Sequence, residues 1–130
     1  MARILVAEDD VGCSATLRRM LERTVHEVVP ADNGAEALVR LEQGTFDLVL
    51  VDVHMPGRDG FEMLAEFRRR KLAPRVIVMS GGGFLGSELC ARISRALGTP
   101  WFLTKPFGSE ELLRAVDAAL GGPGWDEEPR

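Results

Sequence analysis

Short apolar segments alternate five times with segments of helical periodicity along this chain, and this alternation limits the folds that the chain can adopt. The apolar segments are nearly continuous, which is typical of parallel strands buried on both faces of a sheet; half-exposed antiparallel strands alternate apolar and polar residues instead. The predicted strands are residues 4–7, 26–30, 46–51, 75–79 and 101–103. This (βα)5 order predicts an α/β fold with an open, doubly wound, five-stranded parallel sheet.

A predicted helix follows each predicted strand. In the first of these segments Leu17, Met20 and Leu21 recur at helical spacing, and Asp10 stands where an N-cap residue would precede the helix. The third segment ends in a basic run, 68–71, that we interpret as a solvated helix end. The five predicted helices are residues 11–23, 35–44, 61–71, 89–98 and 109–120.

Composition excludes several classes of protein. The chain has 130 residues, the size of one domain, and its net charge of -4 argues against a nucleic-acid-binding module, which usually carries a basic excess. Cys13 and Cys90 form no CxxC pair and are expected to be small apolar residues on helices. The first apolar run is too short for a signal-peptide core or a membrane span, so we expect a cytoplasmic protein without a membrane partner.

Polar residues follow four of the predicted strands. Glu8 and Asp9 follow the first strand, Asp52 the third, Ser80 the fourth and Lys105 the fifth. In an open parallel sheet the ligand site lies outside the carboxyl ends of the strands, so these side chains are expected to meet. Crowded carboxylates repel one another unless a cation lies among them, and an all-oxygen cluster suits a hard divalent cation, Mg²⁺ or Mn²⁺.

Each of these residues also has an ordinary structural explanation when it is taken alone. Asp10 could be only a helix cap, and Asp52 could be only a turn former before Pro56 and Gly57. Lys105 could be a solvated surface residue. The functional interpretation depends on the conjunction, because the strand order brings the four strand ends together independently of the residue types.

An Asp-x-x-Met-Pro-x-x-Asp-Gly motif starts at Asp52, and a Lys-Pro-Phe motif starts at Lys105. Together with the other strand ends, these specific motifs resemble those of response-regulator receiver domains of two-component signalling, and the resemblance covers about residues 2–120. It implies a flavodoxin-like sheet with strand order 2-1-3-4-5. Because no output domain follows the fifth predicted helix, we also expect a stand-alone receiver domain at residues 1–121, with a polar C-terminal tail at residues 122–130. The matching stretches are residues 4–10, 47–60, 76–81 and 102–107.

The resemblance implies a role for each site residue. Asp52 is the implied phosphoacceptor. The implied metal ligands are Asp9 and Asp52 directly, Glu8 through water, and the backbone carbonyl of His54. Lys105 and Ser80 are implied to contact the phosphoryl oxygens. Ser80 and the aromatic Phe102 form the implied switch pair.

The implied function is a signalling phosphoacceptor that assists its own phosphorylation and dephosphorylation; we do not expect an enzyme acting on other substrates. A histidine kinase or a histidine phosphotransfer protein would donate the phosphoryl group, with Mg²⁺ or Mn²⁺ as cofactor. The surface of the fourth predicted helix, the fifth strand and the fifth predicted helix would then bind an unidentified downstream protein, without direct contact to nucleic acid.

Three residues depart from the family pattern. Glu8 and Ser80 replace the commoner Asp and Thr, and His54 could affect the lifetime of the phosphoryl group.

Three rival functions remain at this point. A haloacid-dehalogenase-type phosphatase would need a second Asp where His54 stands, and a flavodoxin-like electron carrier would need a phosphate-binding loop after the first strand. An interaction module that works without phosphorylation would not need the acceptor site.

Overall fold

The five predicted strands form one parallel sheet in the computed structural model, which describes residues 2–53, 60–72, 75–81, 91, 92, 95 and 101–121. The sheet order is β2-β1-β3-β4-β5, so the predicted order 2-1-3-4-5 is confirmed, and every neighbouring pair is parallel. The observed bounds differ from the predicted ones by two residues or fewer. The strands are β1 (Arg3–Ala7), β2 (Glu27–Ala31), β3 (Leu48–Asp52), β4 (Val76–Ser80) and β5 (Trp101–Thr104).

Four of the predicted helices lie within the described residues, and each connects or follows the strands as predicted. The fourth predicted helix, residues 89–98, lies mostly outside the described residues, of which 91, 92 and 95 are helical. No helix in the described part of the chain is long and apolar enough to cross a membrane. The helices are α1 (Val11–Leu21), α2 (Gly34–Gln43), α3 (Gly60–Arg70) and α4 (Ser109–Gly121).

Both faces of the sheet are buried, as the continuous apolar runs predicted. Successive β1 side chains alternate between the two faces: Leu5 belongs to a core cluster with residues of α2 and α3, and Ile4 belongs to a second cluster with residues of α1 and α4. All residues of β3 and β4 are buried. Because each fully buried aliphatic side chain contributes about 2 kcal/mol relative to exposure, these two central strands hold the carboxyl edge in place.

Two helices begin at side chains that cap them. The Cys13 N–H donates to Asp10 Oδ1 at 2.9 Å at the start of α1, so the prediction of Asp10 as a helix cap is confirmed. The Glu36 N–H donates to Asn33 Oδ1 at 2.8 Å at the start of α2. The cap at Asp10 begins α1 directly after Glu8 and Asp9, which fixes the short acidic loop at the edge of the sheet.

The basic end of α3 is exposed, as predicted. Arg69 and Arg70 form ion pairs with Glu66 of the same helix, and Arg70 also pairs with Glu42 of α2. Lys71 then takes a left-handed backbone conformation (φ 56°), and the Leu72 N–H donates to the Phe67 carbonyl at 3.0 Å. This arrangement ends the helix and returns the chain to the core.

Candidate functional site

Backbone hydrogen bonds extend the sheet by one residue beyond several strands, and this places the polar side chains side by side. The Glu8 N–H donates to the Ala31 carbonyl at 3.1 Å, next to the end of β1. The Lys105 N–H donates to the Ser80 carbonyl at 2.8 Å, next to the ends of β4 and β5. Asp52 is the last residue of β3, between them in the sheet. The predicted meeting of Glu8, Asp52, Ser80 and Lys105 at one edge is therefore observed.

Three carboxylates form a compact cluster at this edge. One oxygen from each of Glu8, Asp9 and Asp52 lies within 4.8 Å of the others. Glu8 and Asp52 are 1% and 5% exposed, whereas Asp9 is accessible to solvent. Oxygen ligands at this separation, open to water on one side, are suited to a hard divalent cation that keeps part of its hydration shell.

The ammonium group of Lys105 joins two of these carboxylates. Lys105 Nζ donates to Asp52 Oδ2 at 2.9 Å and also to Glu8 Oε1. Its side chain is one-fifth exposed, and the two carboxylates are almost fully buried. The three groups therefore form a partly buried network in which the Lys105 ammonium pairs with both carboxylates.

Burial and neighbouring charges change the protonation of this network. Burial, together with the proximity of Asp52, raises the pKa of Glu8 from 4.5 to about 7, although Lys105 opposes the change. Burial alone would lower the pKa of Lys105, but its hydrogen bonds to Glu8 and Asp52 raise that pKa above its ordinary value. Lys105 is therefore cationic at any physiological pH, and Glu8 is protonated below and ionised above a pH of about 7.

This protonation predicts how the stability of the metal-free protein depends on pH. The folded-state pKa of Glu8 lies above the unfolded value, so folding binds a proton between pH 4.5 and about 7. The Glu8 contribution is complete below the lower value and is lost as the pH rises through the upper one, by about 3 kcal/mol. Urea unfolding in a chelating buffer should therefore show the free energy of unfolding falling over this range.

The Glu8→Gln variant should show a flatter profile, because Gln has no proton to lose. Glu111→Gln is the matched control, since Glu111 is exposed on α4 and its replacement should leave the profile unchanged. Parallel profiles for the wild type and Glu8→Gln would contradict the assignment of the titration to Glu8.

The structure places the remaining predicted residues as follows. Ser80 is fully buried at the end of β4. Phe102 in β5 is partly buried and contacts the core cluster on the α2 and α3 side, while Trp101 contacts the opposite cluster. His54 and Cys90 lie outside the described residues, and Cys13 lies on α1, partly buried, as predicted.

Sequence reasoning missed two features of this edge. It assigned Lys105 to a phosphoryl group and Glu8 to a metal-bound water, but it did not predict that the two side chains contact each other. It also missed a cavity between α1 and the segment after β5, although Cys13, Thr16 and Met20 recur at helical spacing beside the capped end of α1.

Comparison with known proteins identifies the family. The family model described as "Response regulator receiver domain" matches residues 4–117. The transcriptional regulatory protein ResD of Bacillus subtilis is 33% identical over 119 residues, a region that covers 91% of this chain and 48% of ResD. The chain thus spans about half the length of the curated relatives it matches, including CpxR of Escherichia coli, of which it covers 53%.

Solved structures give the same result. The response regulator TrrA from Thermotoga maritima, solved in complex with Mg²⁺-BeF, superposes with a TM-score of 0.78 at 31% identity, covering 92% of this chain and 100% of that one. The chemotaxis response regulator CheY4 of Vibrio cholerae has a TM-score of 0.81 at 28% identity, covering 92% of this chain and 99% of that one. Because the family model matches residues 4–117 and solved response regulators superpose on 92% of the chain, this chain belongs to the response-regulator receiver domains of two-component systems.

Proposed function

We propose that the chain is a phosphorylation switch in which Asp52 accepts a phosphoryl group from a histidine kinase or a histidine phosphotransfer protein. The observation that carries this proposal is the contact of Lys105 Nζ with Asp52 Oδ2 at 2.9 Å, within a cluster of three carboxylates. A carboxylate held between a fixed cation and further metal-binding oxygens can attack phosphorus while the charge that develops on the phosphoryl oxygens is neutralised. We propose no catalytic activity on any other substrate.

Membership of the family supports the general part of this function. Receiver domains accept phosphoryl groups in two-component systems, and they interact there with histidine kinases and with downstream effectors. The related TrrA was solved with Mg²⁺-BeF.

Glu8, Asp9 and Asp52 fit a bound Mg²⁺ or Mn²⁺ ion. Their oxygens are close enough together to share one ion, and all three are the hard ligands that such ions prefer. When bound, the ion supplies positive charge to the phosphoryl oxygens and reduces the repulsion among the carboxylates. The backbone carbonyl of His54, which lies outside the described residues, is the fourth ligand that we propose beside the three carboxylates.

The proposed transfer step uses the residues as follows. A carboxylate oxygen of Asp52 attacks the phosphorus of the donor in line with the bond to the leaving group. The new O–P bond forms an acyl phosphate as the P–N bond of a phosphohistidine, or the P–O bond of acetyl phosphate, breaks. The leaving imidazole takes its proton from water, whereas acetate leaves without one. Lys105 stays protonated and remains beside the phosphoryl oxygens throughout.

The proposed output begins at Ser80 and Phe102. The acyl phosphate carries about two negative charges where the free carboxylate of Asp52 carries one, and it lies at the end of β3, one strand away from the buried Ser80. A hydroxyl that follows these oxygens would draw Gly81 with it and make room for Phe102, which already contacts the core on one side. The partner-binding surface around β5 would then change.

Intact-mass spectrometry tests the proposal directly. The protein is incubated with acetyl phosphate in MgCl₂, and we expect a mass gain of one phosphoryl group that is lost after hydroxylamine treatment, which cleaves acyl phosphates. An excess of chelator should reduce the mass gain strongly. In a separate reaction without chelator, MnCl₂ in place of MgCl₂ should support the same gain. A wild-type protein that gains no mass in either metal would contradict the proposed function.

A further inference from the structure

Two hydrogen bonds fix the direction in which the backbone of the edge strand β2 points. The Glu27 N–H donates to the Ala2 carbonyl at 2.9 Å, and the Ala31 carbonyl accepts the Glu8 N–H at 3.1 Å. Glu27 and Ala31 therefore direct their backbone N–H and C=O groups toward β1, the only strand that pairs with β2 in the described part of the chain. Along a strand these groups alternate between the two sides, with a period of two residues.

This alternation makes Val28 and Pro30 the residues of β2 whose backbone groups face the open edge of the sheet. Val29, which lies between them, faces β1. A further strand that approached the open edge could bond to the Val28 N–H and to the carbonyls of both outward residues, but Pro30 has no N–H to donate. The proline therefore removes no hydrogen bond between β1 and β2, and it deprives an incoming strand of a donor.

The rest of this edge favours association between two copies of the chain. Val28 and Val29 are partly exposed, and valine is a strong strand former. When two copies pair antiparallel with Val29 opposite itself, Glu27 lies opposite an alanine and Asp32 lies opposite a histidine. Like charges do not meet in this arrangement, so charge repulsion between directly opposed residues does not protect the edge.

We propose that Pro30 prevents a second copy of the chain from adding to the sheet at β2. In the antiparallel pair, Val28 of one copy faces Pro30 of the other. An ordinary residue at position 30 would both donate to Val28 and accept from it, whereas proline only accepts, so the Val28 carbonyl loses its water without gaining a donor. A strand that pairs along this edge in any other register meets the same missing donor, because Val28 and Pro30 supply the groups that face it.

Analytical ultracentrifugation of the Pro30→Val variant tests the proposal. The variant should self-associate about tenfold more tightly than the wild type, because each copy gains a donor for a carbonyl that pairing removes from water. Amide hydrogen exchange should locate the contact at β2, with increased protection at Val28 and measurable protection at position 30. Unchanged sedimentation of Pro30→Val, or association without added protection at Val28, would overturn the proposal.

A double variant moves the proline to the other outward position of the strand. Val28→Pro combined with Pro30→Val again leaves one outward residue without an N–H, so this protein should sediment like the wild type. If Pro30→Val precipitates, the double variant should stay in solution. Association or precipitation of the double variant to the same extent as Pro30→Val would show that another surface is responsible and would overturn the proposal.

Stability measurements test the backbone directions independently of association. Val29→Pro removes an N–H that donates to β1, and it should lower the urea midpoint of unfolding by about 1 M. Val28→Pro removes a side chain of the same size but an outward N–H, so it should lower the midpoint by less than about half as much. Equal losses in the two variants would show that Val28 does not face the open edge, and the proposal would then be wrong.

Discussion

The Asp52→Asn variant is expected to take up no phosphoryl group from acetyl phosphate in MgCl₂. The amide has nearly the shape of the carboxylate but no oxygen nucleophilic enough to attack phosphorus. The fold should be retained, because the substitution removes one of three carboxylates within 4.8 Å of one another, and Lys105 keeps its contact with Glu8. Intact mass should remain that of the unmodified variant at times when the wild type is fully labelled.

Asp32→Asn is the matched control for this prediction. Asp32 also directly follows a strand, but that strand, β2, lies at the edge of the sheet and Asp32 is exposed. This variant should be labelled at the wild-type rate. Equal labelling of Asp52→Asn and the wild type would disprove the assignment of the acceptor; labelling that disappears only when Asp9 is also replaced would transfer the role to Asp9.

The sheet was predictable because its central strands are buried on both faces. Leu48 to Val51 and Val76 to Met79 are apolar throughout, and only a strand covered by helices on both sides stabilises such a run in water. The start of β3 was predicted two residues too early for a local reason. The Asp47 side chain accepts the Arg3 N–H at 2.8 Å, and the Arg3 guanidinium lies over the Phe46 ring, so Phe46 is buried without belonging to the strand.

The predicted end of β2 lies one residue before the observed end, because β2 is an edge strand. The apolar pattern predicts a strand that ends at Pro30, but the strand continues to Ala31. Proline lacks the N–H that an inner strand needs, yet an edge strand has a partner on only one side, and β2 pairs with β1 alone. Apolar periodicity carries no information on which edge of a strand is paired.

The membership of the site was predictable, but its internal contacts were not. Topology brings the ends of β1, β3, β4 and β5 to one edge whatever residues they carry, so Asp52 could be grouped with Glu8, Ser80 and Lys105. Which carboxylates Lys105 contacts depends on the length and rotamer of its side chain and on the extra methylene that Glu8 has over Asp. The contacts of Lys105 follow from packing in three dimensions, and so does the cavity that Met20 and Phe107 line.

The Lys105→Met variant is expected to take up phosphoryl groups about 100-fold more slowly than the wild type. Methionine keeps much of the apolar length of the side chain but removes the fixed cation from the transition state, a loss typical of one electrostatic group. It also leaves Glu8 and Asp52 buried without their shared ammonium, so stability should fall by about 3 kcal/mol at pH 8. The fall should be smaller at pH 6, where Glu8 is protonated.

The affinity for Mg²⁺ separates the proposed role of Lys105 from a purely structural one. Lys105 competes with a metal ion for the oxygens of Glu8 and Asp52, so Lys105→Met should bind Mg²⁺ more tightly while accepting phosphoryl groups more slowly. Lys71→Met, which removes an exposed lysine at the end of α3, should leave both properties unchanged. If Lys105 only held the site in shape, its loss would weaken Mg²⁺ binding together with phosphoryl uptake, and calorimetric titration of both variants with MgCl₂ distinguishes these outcomes.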